Sequence, residues 1–121
     1  MTKIPNSKPY DLEERTFQFA SRCRDFVKKL SRTVGNLEDG KQLIRSSGSV
    51  AANYIEANEA ISKKDFALRV KIARKETKES RLWLRLCQVS ENGALQGEQQ
   101  ALIAETVELA KILSSILEKA K

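Results

Sequence analysis

Residues 62–87 read SKKDFALRVKIARKETKESRLWLRLC, a stretch that predicts one long helix. Ser62 and Asp65 form a capping-box-like start, in which a hydroxyl and a carboxylate meet the unpaired amides of the first turn. No proline or glycine occurs between Ser62 and Asn92. Residues suited to a core repeat at alternating +4 and +3 spacing along one side, which is typical of a helix packed in a bundle. This core stripe consists of Phe66, Val70, Ala73, Thr77, Ser80, Leu84 and Cys87.

Two further stripes run along the same helix. A row of cations lies about a third of a turn from the core stripe, and a second set of apolar residues lies beyond it. The first, here called the basic row, consists of Lys63, Lys71, Arg74, Lys78, Arg81 and Arg85. The second, here called the outer stripe, consists of Leu68, Ile72, Leu82 and Leu86. One apolar face is enough for a helix in a monomer, so the outer stripe predicts contact with a partner.

The composition of the 121-residue chain favours a single all-α domain. Aromatic residues make up 6%, and the chain contains two prolines and five glycines. Histidine is absent, which removes the commonest general base and the commonest transition-metal ligand. A glycine-rich phosphate loop and the Glu-x-x-His motif of di-iron bundles are also missing from the sequence. We therefore expect no enzyme activity, no catalytic residue, no metal site and no cofactor.

The positive charge of the chain is concentrated in its centre. The net charge is +6, and residues 63–85, with nine basic and three acidic side chains, carry the same excess on their own. A one-sided basic surface attracts polyanions, among which nucleic acid is favoured over an anionic membrane.

We expect an N-terminal arm over residues 1–10, which contain both prolines, and a bundle domain over residues 11–121. The first helix is predicted from about Leu12 to Val34, with Gly35 as a left-handed cap. Its predicted core face consists of Phe17, Ala20, Cys23, Val27, Leu30 and Val34, widened by Phe19 and Phe26.

The second helix is predicted over about residues 37–58, with Asn36 and Asp39 as possible caps. After the central helix, the turn-rich residues 91–97 predict a loop, and the last helix follows over about residues 98–119. Four amphipathic helices joined by short loops predict an antiparallel up-and-down four-helix bundle. Small residues in the middle of the second helix predict close approach of a neighbour; they are Ser46, Ser47, Gly48, Ser49, Ala51 and Ala52.

The two cysteines, Cys23 and Cys87, occupy core positions of different helices. We interpret them as buried reduced thiols, with a disulfide or a metal pair as the less favoured alternative. The sequence contains no signal peptide and no apolar run of membrane length. We therefore expect a cytoplasmic protein without a membrane partner.

Several polar residues leave two interpretations open. On the second helix they form either a solvated edge with at most one buried polar contact, or an ion pair to the central helix, for example to Arg69 or Lys75; they are Asn53, Glu56 and Glu59. On the central helix, the alternative for the basic row is a solvated face without a ligand, beside which Glu76 and Glu79 pair locally with Arg69, Lys75 or Lys78.

Several sequence blocks carry a family resemblance. They are QLxRSS at 42–47, SVAANYxEA at 49–57, SKKDF at 62–66, IARKE at 72–76 and ESxxWL at 79–84, with YDLE at 10–13. Together they resemble the bacterial four-helix-bundle proteins encoded in intervening sequences of the 23S ribosomal RNA gene. The resemblance implies a ring-like homopentamer without catalytic activity. That family is similar in turn to the accessory proteins of diversity-generating retroelements, which bind nucleic acid and a reverse transcriptase; this second step is an analogy of fold.

Two functions follow as hypotheses. The first is a basic oligomer that binds nucleic acid, RNA before DNA, through the basic row, with the outer stripe as the oligomer interface. Trp83 is predicted to pack rather than to stack on bases, because it projects away from the basic row. The second is a scaffold or adaptor ring that binds an unknown protein partner and no nucleic acid.

Overall fold

The computed structural model describes the backbone of residues 8–121 and the side chains of residues 12–121. In this part the chain forms four helices and no strand, which confirms the predicted all-α class. Residues 1–7 of the predicted arm lie outside the described residues, and residues 8–10 already belong to the first helix. The helices are α1 (Lys8–Lys28), α2 (Val34–Asn58), α3 (Lys63–Leu86) and α4 (Gly93–Lys119).

Consecutive helices pack against each other, and α4 closes the bundle against α1. At every seam, residue numbers that rise along one helix meet falling numbers on its neighbour, so the four helices run up and down. The pairs that show this are Glu13–Asn58 and Val27–Gly40 (α1/α2), Asn53–Arg69 and Ser46–Ser80 (α2/α3), Arg74–Ser114 and Leu84–Gln99 (α3/α4), and Arg15–Glu105 and Lys29–Glu98 (α1/α4).

The core stripe of α3 faces the interior, as its spacing predicted. Side chains from Val70 to Leu84 along the stripe are 0% exposed, and Phe66 packs against them at one end. Ser62 begins the helix, because its Oγ accepts a hydrogen bond from the Asp65 amide at 3.0 Å. Each fully buried Leu, Val or Phe in such a core contributes about 1.5–3 kcal/mol by removal from water.

The predicted core face of α1 is confirmed at Ala20, Cys23 and Leu30 but is wrong at Phe17. Phe17 is 57% exposed, whereas Phe19, Cys23 and Phe26 are fully buried. Residues two apart lie about 200° apart around a helix, so Phe17 and Phe19 cannot both face inward. Phe19 takes the core position, because Cys23 and Phe26 continue its +4, +3 stripe.

The α1–α2 connection also differs from the prediction. α1 ends at Lys28, and Val34, 81% exposed, is the first residue of α2 rather than the last core residue of α1. Thr33 caps α2, because its Oγ accepts a hydrogen bond from the Asn36 amide at 3.1 Å. Gly35 lies in the first turn of α2, and no glycine in residues 8–121 has a positive φ. The left-handed cap predicted at Gly35 is therefore wrong.

Asn36 is not a helix cap but a clamp between two loops. Its Nδ2 donates hydrogen bonds to the carbonyl oxygens of Ser31 and Gln88, each at 3.0 Å. Its Oδ1 accepts a hydrogen bond from the Gln88 amide at 2.9 Å. The side chain is 4% exposed, so it satisfies buried backbone groups of both connections at this end of the bundle.

The small residues of α2 allow close helix packing, as predicted. A Cβ at Gly40 would lie 2.9 Å from Val27 Cγ1, so α1 approaches too closely for a side chain there. On the other side of α2, Ser46 and Ser80 share a buried hydrogen bond of 2.8 Å. This direct contact brings α2 and α3 together without a large side chain between them.

The last helix begins earlier than predicted. α4 starts at Gly93, with Asn92 as its N-cap, so most of the predicted loop at 91–97 is helical. Gln99, which the prediction also placed inside this helix, reaches across to α3. Its Nε2 donates hydrogen bonds to the carbonyl oxygens of Leu84 and Cys87 at 2.8 and 2.9 Å, which satisfies the otherwise unpaired end of α3.

Cys23 and Cys87 are free, buried thiols, in agreement with the interpretation from sequence. Burial raises the pKa of the Cys23 thiol to about 12 and that of the Cys87 thiol to about 11. Both thiols stay protonated at neutral pH and act as small apolar groups. None of the helices in the described residues has the length and apolar character needed to cross a bilayer.

Candidate nucleic-acid interface

Most of the basic row lines three neighbouring hollows between α3 and α4. Lys78 and Arg81 line a hollow of about 730 Å³, and Arg81 and Arg85 line the next, of about 270 Å³. Lys71 and Arg74 line a third, of about 390 Å³, towards the chain end. We call these three hollows together the basic groove. The structure thus brings five of the six predicted cations into one surface.

Lys63 is the predicted cation that does not join this surface. It is exposed at the first position of α3 and is not among the side chains that line the three hollows. Because the start of α3 extends past the wall formed by α4, the row leaves the groove at this point. Lys63 can add to the local field but not to the groove itself.

The cations of the basic row are not neutralised within the described part of the chain. None of the six forms a salt bridge with a carboxylate of residues 12–121. Arg74 is half-buried and donates from Nη1 to Ser114 Oγ at 3.1 Å, a contact that orients the guanidinium without cancelling its charge. Cations elsewhere do pair, as Arg15 does with Glu105 at 2.7 Å. The charge of the groove therefore stays available to an external anion.

The wall supplied by α4 was not predicted from the sequence. It adds Lys111, Ser114 and Ser115 to the groove. Glu118 is the single carboxylate among the described side chains that line the three hollows, and Lys121 pairs with it at 2.9 Å. These wall residues recur every three or four positions beside the core residues of α4, a helical spacing that could have identified them.

The chemistry of the groove suits phosphate rather than bases. Guanidinium, ammonium and hydroxyl groups are the usual partners of phosphate oxygens. No aromatic side chain is among the described residues that line the three hollows. Trp83 packs against the bundle core, as predicted. Its Nε1 is buried and is the one such side-chain atom without a hydrogen-bond partner in residues 12–121.

The opposite side of α3 carries charges that are paired. Glu76, only 7% exposed, accepts a hydrogen bond from Arg45 of α2 at 3.3 Å, and Glu79 lies 3.4 Å from the same guanidinium. The local pair between Lys75 and Glu79 is present at 3.9 Å. Sequence reasoning considered partners for Glu76 only within α3 and missed Arg45, because that pairing depends on the register between two helices.

Of the polar residues left open on α2, Asn53 contacts the central helix. Its Oδ1 accepts a hydrogen bond from Arg69 Nη1 at 3.4 Å. Glu56 and Glu59 are exposed and form no salt bridge with a described residue. The three residues therefore follow the first interpretation, in which Glu56 and Glu59 form a solvated edge and Asn53 makes one polar contact.

The outer stripe lies on the solvent side of α3, directly opposite the core stripe. Leu68, Leu82 and Leu86 are 51%, 45% and 49% exposed, and Ile72 is partly buried. Three leucines half-exposed along one helix are an unusual use of apolar surface in a monomer. No residue of the stripe lines the basic groove.

Comparisons with known proteins agree with this architecture. A family model described as 23S rRNA-intervening sequence protein matches residues 9–115. A crystal structure of a protein with unknown function from the S23 ribosomal protein family of Bacteroides thetaiotaomicron superposes with a TM-score of 0.78. It is 28% identical in sequence, and the alignment covers 93% of this chain and 99% of the other. A search of curated proteins returns no match.

Proposed function

We propose that this protein, which belongs to the 23S rRNA-intervening sequence protein family, is a non-enzymatic, self-assembling bundle that binds RNA through the basic groove. The observation that carries the proposal is the groove itself: five cations line three neighbouring hollows and none pairs with a described carboxylate. The family description refers to a ribosomal RNA sequence, which makes RNA the first ligand to test and DNA the second.

The expected binding mode is contact with the phosphate backbone. Phosphate contacts position a nucleic acid without reading its sequence, and the groove has no described aromatic side chain on which bases could stack. Each neutralised phosphate releases a counterion, so affinity should fall steeply with salt and vary little with sequence. Self-assembly through the outer stripe would repeat the groove and raise the apparent affinity for a long strand.

Binding to an RNA hairpin and to a DNA duplex of equal length, measured by fluorescence anisotropy at two salt concentrations, tests this proposal. The groove variant is Lys78→Gln/Arg81→Gln/Arg85→Gln. We expect it to bind at least about tenfold more weakly and to show a salt slope smaller by up to about three. Arg74 stays unchanged, because it also bonds Ser114.

The matched control removes three cations that are already paired within the chain. Lys41, Arg69 and Lys75 pair with Glu38, Asp65 and Glu79, respectively. The variant Lys41→Gln/Arg69→Gln/Lys75→Gln has the same net charge as the groove variant, and we expect it to retain most of the affinity. Equal losses in the two variants would mean that only net charge matters, and the groove would not be the binding site.

A scaffold or adaptor ring without nucleic-acid binding is the second candidate. The exposed leucines of the outer stripe favour it, because they offer apolar surface independently of the basic groove. If wild-type protein binds neither RNA nor DNA at low salt but still assembles, this second function replaces the first.

A further inference from the structure

The floor of the basic groove is largely apolar and runs parallel to the basic row. Its residues recur at +4, +3, +4 and +3 along α4, and each of them is half-buried and lines at least one of the three hollows. We call them the floor strip; they are Ile103, Val107, Ala110, Ser114 and Leu117. The groove therefore has cations along its α3 edge and apolar side chains beside them on α4, a division that suits a ligand with an anionic side and an apolar side.

Each cation of the groove has a residue of the floor strip beside it. Arg74 Nη1 donates to Ser114 Oγ at 3.1 Å, which brings the two rows together near the middle of their length. The helices are antiparallel and the two spacings mirror each other, so the other members pair outward from this contact. The pairs that share a hollow are Lys71 with Leu117, Lys78 with Ala110, Arg81 with Val107, and Arg85 with Ile103.

The spacing of the groove cations fits the phosphates of one nucleic-acid strand. Lys71 and Arg85 are 14 residues apart, which is about 21 Å of helix, so the five cations follow one another at about 5 Å on average. They stay within about a quarter of a turn around α3, which makes the row nearly straight. Neighbouring phosphates along a strand are about 6 Å apart, so a single strand lying along α3 brings roughly one phosphate to each cation.

A double helix fits the same surface less well. Each of its strands winds around the helix axis, so it curves away from a straight row of cations after about three phosphates. Its bases are also stacked inside the duplex, and the outside offers only sugar and phosphate to the floor strip. In a single strand the bases are free to leave the stack and to contact protein side chains.

We propose that the basic groove binds single-stranded RNA, with the phosphates of about five nucleotides along the basic row and the bases lying across the floor strip. This inference rests on the proposed RNA binding and specifies the form of RNA. Every base has an apolar face, so contact with the aliphatic side chains of Val107, Ala110 and their neighbours accepts any base, and binding remains tolerant of sequence.

Three labelled ligands of equal length, about twelve nucleotides, test the proposal by fluorescence anisotropy at low salt. They are an oligouridine strand, an RNA duplex and a strand with the same backbone that lacks bases. We expect the oligouridine to bind at least about tenfold more tightly than the duplex, whereas charge attraction alone predicts the reverse, because the duplex carries twice the charge. The oligouridine should also bind about fivefold more tightly than the abasic strand, with an equal salt slope, because base contacts release no counterions.

The floor variant is Val107→Gln/Ala110→Gln, and the matched control is Ala101→Gln/Ala104→Gln, whose positions are exposed on α4 and line none of the three hollows. We expect the floor variant to lose about fivefold in affinity for oligouridine and to bind the abasic strand like wild type. The control should bind both strands like wild type. Val107→Ala, which removes apolar contact without adding a polar group, should lose about twofold for oligouridine, and circular dichroism checks that every variant stays helical.

The other outcomes separate this inference from the function on which it rests. If neither oligouridine nor the duplex binds at low salt, RNA binding and the preference for a single strand are both overturned. If the duplex binds as tightly as oligouridine, or the abasic strand does, RNA binding stands and the single-strand inference is overturned. An equal loss for oligouridine and the abasic strand in the folded floor variant overturns the contact between bases and the floor strip.

Discussion

Helix α3 packs along its length against α2 on one side and against α4 on the other. The two seams differ in whether the charged side chains at their rims are paired. Along the α2/α3 seam, Ser46 meets Ser80 in the interior and Arg45 covers Glu76 at the rim. Along the α3/α4 seam, the rim is the basic groove, where the cations of α3 form no salt bridge with a described residue, whereas Lys111 of α4 pairs with Glu108 of its own helix at 3.7 Å. A cation at a helix rim is therefore held in a salt bridge where the neighbouring helix places a carboxylate beside it. Where the neighbouring helix places none, the cation remains open to an external anion.

The largest loss of stability should appear when a substitution disturbs the interior of the α2/α3 seam. Ser80→Leu would place a bulky side chain where two serines are in contact and would leave Ser46 without its 2.8 Å partner. We expect the free energy of unfolding to fall by at least about 2 kcal/mol in urea denaturation. Arg81→Leu, one residue further on in the exposed groove, should change it by less than about 0.5 kcal/mol. Similar losses in both variants would contradict the distinction between a packed seam and an open groove.

The rim of the α2/α3 seam should give an intermediate effect. Arg45→Gln leaves the buried carboxylate of Glu76 without its cation, and we expect a loss of about 1 kcal/mol in stability, since the arginine side chain is itself 52% exposed. In a double-mutant cycle, Arg45→Gln/Glu76→Gln should lose less than the sum of the single variants. If the losses of stability in the two single variants add up to the loss in the double variant, the interaction between Arg45 and Glu76 contributes nothing to stability.

The smallest effect on stability should be found in the groove, where a substitution should stabilise the protein instead of destabilising it. Arg81 lies one turn from both Lys78 and Arg85, and like charges at this spacing destabilise a helix by about 0.2–0.5 kcal/mol. Arg81→Gln should therefore stabilise the free protein slightly at low salt, and the gain should vanish at high salt because of screening. A loss of stability at low salt would indicate that Arg81 has an acidic partner in solution.

Much of the fold could be predicted from the sequence, because the buried residues of a helix recur every three or four positions. The core stripe of α3 repeats without interruption, and the Ser62 cap is a short-range motif, so both were found. On α1, Phe17 was wrongly assigned to the core face together with Phe19, because the sequence fits both and only packing selects between them. Asn36 was mistaken for a cap, because its partner Gln88 is distant in the sequence.

The candidate site could be predicted only in part. The spacing of the basic row placed six cations on one side of α3, and the structure places five of them along a groove. The contribution of Lys111 and Ser114, and the exclusion of Lys63, depend on where α4 lies. The sequence of α3 alone does not specify the position of α4.

The sequence by itself determined that the chain is helical, which side of α3 is buried, and that the opposite side is apolar. Side-chain direction repeats every 3.6 residues, so these properties follow from neighbours along the chain. The tertiary structure alone decided which charges are paired, because ion pairs form across seams between residues far apart in sequence. It thus left Arg81 open to solvent and gave Glu76 its partner in Arg45.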